Sequence, residues 1–378
     1  MDFTMDENQD AVAEIVVRLL ERESTRDIAL WSALLDSGLL SAPLPPRYDG
    51  DGAGVLEVAA MLTELATDAV EVPVLPTLGF GVLPLLRTAP DMLAEKIFPA
   101  VAKGAVLTAA LNEPGAPFSA GLETTAVTDG NTVRISGHKV HVLYANLARW
   151  ILVPTDSGLA VVDAEAPGIG RIRNISSSGL PEFSLYLDNV SIPAEQLLPE
   201  GIPPLNRSAL AAIGSVADGL LKGVLRRTAE HLRIRHQLGC SSARYRAASQ
   251  HIADVYLTSR GLHSATLSVN RALAQENDGP EHCERLDTDL AVLTYWVGEA
   301  LPKAMHTCRQ LNGEMSTEIT RPLRRYYSQA EIIARMLGGT ALRLDCLSTG
   351  CTLSRLQYRE TARDPLSVAS TTTAVATI

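Results

Sequence analysis

Apolar positions in the first hundred residues recur at the three- and four-residue spacing of an amphipathic helix. Val16, Leu19 and Leu20 form one such apolar face. Because residues three and four apart share one side of a helix, this period predicts helices. The segment 45–54 is dense in proline and glycine, which interrupt helices and favour turns. We therefore predict an N-terminal α-helical domain over residues 1–105.

After residue 105 the pattern changes to short runs rich in β-branched residues. Runs of this kind, bounded by turn residues, predict β-strands. Asp129-Gly130-Asn131 lies between two of them and is typical of a tight hairpin turn. The runs define a middle β domain over residues 106–203. The predicted strands cover 106–111, 125–127, 133–136, 150–154, 159–162 and 185–190.

The helical period returns after residue 203 in long segments. They define a C-terminal helical domain over 204–365, followed by a tail at 366–378, so the chain is assigned to the α+β class. The polar stretch Asn277 to Asp289 contains Glu281-His282-Cys283-Glu284, which has the composition of a ligand cluster but is predicted to be a solvated loop. The predicted helices cover 208–235, 245–277, 288–311 and 322–337.

Composition and charge narrow the class of protein. The 378 residues suffice for two or three folding units. Lys and Arg together number 33 against 43 Asp and Glu, a net charge of −10, which argues against nucleic acid as a partner. An apolar fraction of 46% with 20% charged residues is typical of a globular protein.

The sequence predicts a soluble, cytoplasmic protein. The longest apolar stretch, residues 72–86, is interrupted by prolines and is shorter than the roughly 20 residues that a membrane-spanning helix needs. The first residues are acidic, whereas a secretory signal begins with basic residues. The five cysteines form no CxxC pair, which favours reduced thiols.

General catalytic and metal-binding motifs are nearly absent. The chain has no phosphate loop of the GxxxxGK[ST] type, no strand-bound GxGxxG, no HExxH and no GxSxG. Of the eight histidines, only His138 and His141 lie three apart, on a strand-like run where that spacing points them to opposite faces. We therefore predict no metal site.

Several blocks, in order along nearly the whole chain, resemble those of the acyl-CoA dehydrogenase family. Residues 45–57 resemble its proline, glycine and helix-entry block, and 110–116 its T-E-P-x-A-G-S-D flavin loop. Residues 135–139 resemble the G-x-K strand, and 187–198 the signature that closes the β domain. The resemblance implies a helical N-terminal domain, a middle β-barrel-like domain and a C-terminal four-helix bundle.

Two further motifs imply FAD binding. Residues 235–239 resemble the family's R-x-Q-F-G motif, and residues 310–316 stand where the family has Q-L-H-G-G-x-G. In the family these motifs cross a dimer interface and bind the FAD of the neighbouring subunit, with the arginine on the pyrophosphate. A guanidinium and backbone N–H groups suit a diphosphate. The implied cofactor-binding residues are Arg235, Gln237, Leu238, Gln310, Leu311 and Gly313.

The chain departs from the family where the catalytic base and the flavin's own-subunit contacts should be. The family removes a substrate proton with a glutamate at one of two places, which here are Ala209 and the segment 336–340; neither has an acid. The flavin loop continues Pro117-Phe118-Ser119 instead of Gly-Ser-Asp, and Leu143 replaces a hydroxyl residue. We therefore predict no catalytic residue in this chain.

A degraded own-subunit flavin site beside an intact cross-subunit motif resembles the base-lacking β subunit of actinobacterial heterotetrameric steroid side-chain acyl-CoA dehydrogenases, of the 3-oxocholest-4-en-26-oyl-CoA dehydrogenase type. The resemblance implies a homologous partner that carries the glutamate in a two-plus-two tetramer, an acyl-CoA substrate of sterol β-oxidation, and electron-transfer flavoprotein as acceptor. Two alternatives stay open. One is a homotetramer with a displaced base such as Glu113, Glu314 or Glu318, and the other is a non-catalytic binding protein.

Overall fold

The order of elements along the chain is helices, then strands, then helices, as the apolar pattern predicts. This order and the α+β class are confirmed, whereas the domain boundaries stay predictions. The tail at 366–378 lies outside the described residues. The computed structural model describes residues 7–23, 25–115, 117–118, 122–176, 179–234, 236–237, 240–241, 246–275, 279–313 and 323–348.

The first part of the chain folds into short helices joined by turns. Gly54 precedes α3, and its N–H donates to Glu57 Oε2 at 2.7 Å, which satisfies one exposed donor at the helix start. A π-helical segment at Leu75–Val82 runs directly into α4. The α-helices are α1 (Glu7–Arg22), α2 (Leu30–Asp36), α3 (Val55–Thr67), α4 (Leu83–Thr88) and α5 (Asp91–Val101).

The middle strands form two four-stranded sheets. One has the order β1-β4-β5-β8 and the other β2-β3-β7-β6. The predicted hairpin is confirmed, since β2 and β3 pair antiparallel around Gly130, whose φ is +62°. The strands are β1 (Val106–Ala109), β2 (Thr125–Asp129), β3 (Thr132–Leu143), β4 (Ala148–Thr155), β5 (Gly158–Asp163), β6 (Ile169–Arg173), β7 (Glu182–Pro193) and β8 (Leu197–Leu198).

The two long strands β3 and β7 extend beyond the predicted runs, because the added stretches contain polar residues such as Lys139 and Glu182 that interrupt the apolar pattern. Strand β6 was not predicted, since it lies at a sheet edge and has no fully buried residue. The inner faces of both sheets meet in one apolar cluster that includes Ile135, Ile151 and Leu185. This packing fixes where the loops between strands emerge.

The last part of the chain is a bundle of long helices, with a short β9–β10 pairing (His236–Gln237 with Cys240–Ser241) between the first two. The prediction of a loop at Glu281-His282-Cys283-Glu284 is wrong, because Pro280 at the first helical position starts α8 there. His282 Nε2 contacts the Ala272 carbonyl at 3.0 Å. The helices are α6 (Ile202–Ile234), α7 (Arg246–Ala274), α8 (Pro280–Asn312), α9 (Leu323–Met336) and α10 (Gly339–Ser348).

Helix α6 is the central element, and it packs closely against α3. A Cβ at Gly219 would lie 2.1 Å from the Thr63 carbonyl oxygen, and one at Gly223 would lie 2.1 Å from that of Thr67. Within the described residues α6 alone has the length and hydropathy of a membrane span, but 89% of its apolar window is buried in the protein. It is therefore a core helix.

Candidate functional site

The loop after β1 reaches across to the end of α9. Asn112 Nδ2 donates to the Met336 carbonyl at 3.1 Å, and its Oδ1 accepts from the Phe118 N–H at 3.1 Å. Asn112 is 2% exposed. Both ends of this amide are therefore occupied by the protein's own backbone, at the start of the loop that resembles a flavin loop.

Glu113, the next residue, is held by a buried cation and by the loop that follows. Its carboxylate contacts Lys139 Nζ and Thr124 Oγ1, each at 2.6 Å, and accepts from the Glu123 N–H at 2.6 Å. Burial alone would raise the pKa of Glu113, but the hydrogen bonds from Lys139 and Thr124 lower it below its usual range. A carboxylate fixed in this way is a weak proton acceptor.

Pro117 and Phe118 fill the space between this loop and the glycines after α9. A Cβ at Gly338 would lie 2.2 Å from Pro117 Cγ, so Pro117 occupies the place of any side chain there. Phe118 is 2% exposed and lies beneath the Arg343 guanidinium, 5.7 Å from its ring centroid. The loop is therefore packed against other residues of the same chain.

The run His141-Val142-Leu143 lies at a bulge in β3. The register against β7 shifts between Lys139 and Val142, and His141 has a φ of +58°. Its Nδ1 contacts Glu182 Oε1 at 2.8 Å, and Arg335 donates to the other oxygen at 3.0 Å. Leu143 is buried and offers no hydrogen-bonding side chain. This cluster joins β3 and β7 to α9.

The two places where the family carries its base hold no ionisable group. Ala209 is fully buried in α6. Leu337 is also fully buried, and Gly338 and Gly339 follow it with left-handed φ angles of +77° and +80°. Since Pro117 fills the side-chain position of Gly338, an acid there would require the loop to move.

Sequence reasoning missed Glu71, a carboxylate in the wall of an apolar cavity of about 60 Å³. Burial raises the pKa of Glu71, although Arg325 lies 3.7 Å away. Leu143 and Tyr144 line the same cavity. The only sequence signal was an acid inside the otherwise apolar run that follows α3.

The described residues of the predicted cross-subunit set lie at the end of α8 and just after the end of α6. Asn312, near the end of α8, donates to Thr228 Oγ1 on α6 at 2.8 Å, which places the two ends side by side. Gln310 is exposed and contacts His306 at 2.9 Å. Leu311 is half-buried, and Gly313 has a φ of +62°. Gln237 lies in β9. Arg235 and Leu238 lie outside the described residues.

The two regions that the resemblance links to FAD differ in how well their residues suit the cofactor. On this chain's own loop the residues do not fit, because both ends of the Asn112 amide are hydrogen-bonded to backbone and Pro117 and Phe118 fill the space. At the ends of α6 and α8, exposed polar residues and a glycine fit the binding of a ligand held by a neighbouring subunit. Over the described part of the chain, no group of three or more His, Cys, Asp or Glu residues could hold a metal ion.

Two family profiles match the chain. The profile described as "Acyl-CoA dehydrogenase, N-terminal domain" matches residues 2–105, and "Acyl-CoA dehydrogenase, C-terminal domain" matches 206–347. Among curated proteins, "Acyl-CoA dehydrogenase FadE28" of Mycobacterium tuberculosis is 38% identical, over 94% of this chain and 100% of the relative. "Acyl-CoA dehydrogenase FadE27" of the same organism is 28% identical, over 90% and 95%.

Chains of two solved heteromeric complexes have folds similar to that of this protein. A chain of the ChsE4-ChsE5 complex from Mycobacterium tuberculosis matches with a TM-score of 0.83 and 25% identity, over 92% of this chain and 98% of that chain. A chain of a variant of the Tcur3481-Tcur3483 steroid ACAD matches with a TM-score of 0.81 and 28% identity, over 91% and 96%.

Proposed function

Because this chain belongs to the acyl-CoA dehydrogenase family, we propose that it is the base-lacking subunit of a heteromeric FAD-dependent enzyme of that family. In this proposal it completes the FAD site of a homologous partner. The observation that carries it is the contact of Pro117 with Gly338, which leaves no room for an acid at that position. The neighbouring steroid ACAD and ChsE4-ChsE5 complexes support a heteromeric assembly.

The reaction is the α,β-dehydrogenation of an acyl-CoA, and a steroid side-chain thioester is the proposed substrate. Removal of the α proton needs a carboxylate within about 3 Å of it, and FAD, when bound, accepts the hydride. Glu113 cannot take the role of base without breaking its pair with Lys139. The partner therefore supplies the glutamate.

The cavity beside Glu71 has a volume of about 60 Å³, which is room for only a few water molecules. What this chain contributes is the pair of adjacent ends of α6 and α8. There we propose that Arg235 binds the pyrophosphate of the partner's FAD, with Gln237, Leu238, Gln310, Leu311 and Gly313 around the adenosine diphosphate.

The complex is proposed to be a cytoplasmic heterotetramer. Two copies of this chain and two of the partner form the tetramer, electron-transfer flavoprotein accepts the electrons, and the complex is cytoplasmic. The ChsE4-ChsE5 and Tcur3481-Tcur3483 complexes support an assembly of unlike subunits, and the stoichiometry, the acceptor and the location rest on the family resemblance alone.

The test is the flavin content of the full chain expressed alone and together with its partner. We expect the chain alone to purify without flavin, and the complex to carry one FAD for each pair of unlike subunits. Released flavin would be measured by absorbance and chain ratios by quantitative gel analysis. A yellow homo-oligomer with one FAD per chain would refute the proposal.

A second candidate function is a homotetramer with a displaced base, and Glu71 is the observation that favours it. Its raised pKa and its place in the cavity wall suit a general base. Loss of a general base costs on the order of 10² to 10⁴ in rate. The variants Glu71→Gln, Glu113→Gln, Glu314→Gln and Glu318→Gln separate the two candidates: a rate loss of that size with FAD still bound would place the base in this chain, and near-normal turnover of all four complexes supports the partner's glutamate.

A further inference from the structure

An open groove of about 430 Å³ lies between α7 and α8. Val255 and Ala300 contribute to its walls, and Trp296 lies in it. Trp296 is 39% exposed, whereas the other two tryptophans, Trp31 and Trp150, are half-buried and buried. Aromatic side chains are enriched in the centres of protein interfaces, where they fill pockets of the partner. The groove therefore has the features of a docking surface.

The face of α8 that borders this groove continues to the end of the helix. Positions 296, 299, 303, 306 and 310 are three or four residues apart, so they lie on one side of α8. On this side Glu299 pairs with Lys303, and His306 contacts Gln310 at 2.9 Å. Gln310 lies about 10 Å beyond Lys303 along the helix and is one of the residues that we propose to lie beside the partner's FAD. A partner whose FAD reaches Gln310 must also come close to the groove.

The charges in the groove favour an unlike partner over a second copy of this chain. Asp254 and Glu299 line the groove together with Lys303. Lys303 pairs with Glu299, whereas the exposed Asp254 forms no ion pair within the described part of the chain. Two copies of this chain would bring these acidic residues and two net charges of −10 together, and like charges across an interface oppose binding. A basic side chain on an unlike partner would instead be attracted to Asp254.

We propose that the groove between α7 and α8 docks an apolar helix face of the homologous partner subunit, with a basic side chain of that helix opposite Asp254 and Glu299. The inference rests on the proposed function, since it names the surface through which this chain binds its partner. Grooves between helices commonly bind an amphipathic helix. Trp296 is the anchor, and its ring already lies against α7, where a Cβ at Gly261 would be 3.3 Å from it. A side chain that is held before binding loses little freedom when the partner covers it.

The test coexpresses the full chain with an affinity-tagged partner and measures how much chain and flavin the tag captures. We expect Trp296→Asp to lower the captured amount at least about tenfold, because the loss of an aromatic anchor is costly. FAD should be lost together with the chain, whereas Arg235→Ala should lose FAD alone. Ile172→Asp removes an exposed apolar side chain from β6 and is the matched control, which should be captured as the unmodified chain is.

A second variant keeps the proposal testable if Trp296→Asp fails to fold. Ala300→Arg would place a long side chain in the groove from a half-exposed helical position, and arginine is a good helix former. We expect it to block capture while the melting temperature of the full chain stays unchanged. Asp254→Lys should weaken capture by the partner, and added salt should then affect the variant less than the unmodified chain.

The outcomes separate this inference from the proposed function. If the unmodified chain forms no flavin-containing complex of unlike subunits, the proposed function fails. If the complex forms and both Trp296→Asp and Ala300→Arg are captured as well as the unmodified chain, only the docking assignment is overturned. Light scattering of the captured complex gives the remaining outcome. A fall to half the mass with both subunits and FAD retained would place a second copy of this chain on the groove, which also overturns the assignment.

Discussion

At the residue scale, Glu113 and Lys139, which lie in two blocks that resemble family motifs, form an ion pair that stabilises the fold. Lys139 is fully buried, and its only charged contact among the described residues is the carboxylate 2.6 Å away. Burial lowers the pKa of Lys139, while Glu113 raises it. The pair joins the loop after β1 to β3, so it holds in position the loop that contains Pro117 and Phe118.

Lys139→Met should strongly destabilise the fold, because it leaves the Glu113 carboxylate buried and unpaired. Removal of one partner of a buried pair typically costs about 3–5 kcal/mol. The unfolding free energy would be measured by urea denaturation. The double variant Lys139→Met with Glu113→Gln is the control and should recover most of the loss. An unfolding free energy equal to that of the unmodified protein in the single variant would show that the pair is unimportant.

The Glu182 carboxylate makes the free energy of unfolding depend on pH in the acidic range. Burial would raise the pKa of Glu182, but His141 and Arg335 lower it below the ordinary value of 4.5. The folded protein therefore holds this carboxylate ionised more strongly than the unfolded chain does. Its contribution to stability is complete above the unfolded pKa and is lost as the pH falls through the folded pKa.

We therefore expect the unfolding free energy to fall between about pH 5 and pH 3, and to fall less steeply in Glu182→Gln. Urea denaturation at a series of pH values measures both slopes. Because the pKa of Glu113 is also lowered, part of the slope should persist in the variant. Identical slopes in the two proteins would exclude Glu182 as a cause.

At the element scale, the close packing of α3 on α6 depends on glycine. Gly219→Ala should destabilise the protein by about 1–3 kcal/mol, since its Cβ would collide with the Thr63 backbone. Gly261→Ala on α7 is the matched control, because its Cβ would meet only the half-exposed Trp296 ring at 3.3 Å, which can move. Thermal melting of both variants tests this, and equal melting temperatures would contradict the packing argument.

Element boundaries also differ between pattern and structure, for physical reasons. Helix α8 begins at Pro280, eight residues before the apolar period suggests, because its first turns are polar and exposed. Strand β6 has no fully buried residue, so alternation could not reveal it. The predicted bounds of β4 and β5 agree with the structure to within two residues, because these strands are buried almost throughout.

At the scale of the whole molecule, the cross-subunit proposal rests on Arg235. In the complex, Arg235→Ala should release FAD while the tetramer stays assembled. The loss of a charge-assisted pair with a partly buried phosphate should cost roughly 2–5 kcal/mol of binding free energy. Flavin content and light scattering measure the two outcomes separately. Arg233→Ala, on the exposed end of α6, is the control, and unchanged flavin occupancy in Arg235→Ala would refute the assignment.

The sequence by itself determined the order of helices and strands, the family resemblance and the lack of acids at Ala209 and Gly338. Only the tertiary structure decided that Pro117 fills the space beside Gly338, that Glu113 forms an ion pair with Lys139, and that Glu71 lines a cavity. Periodicity reports neighbours within a few residues, whereas Asn112 and Met336 are separated by 224 residues. Contacts of that kind depend on how the sheets and the bundle pack, which local pattern does not encode.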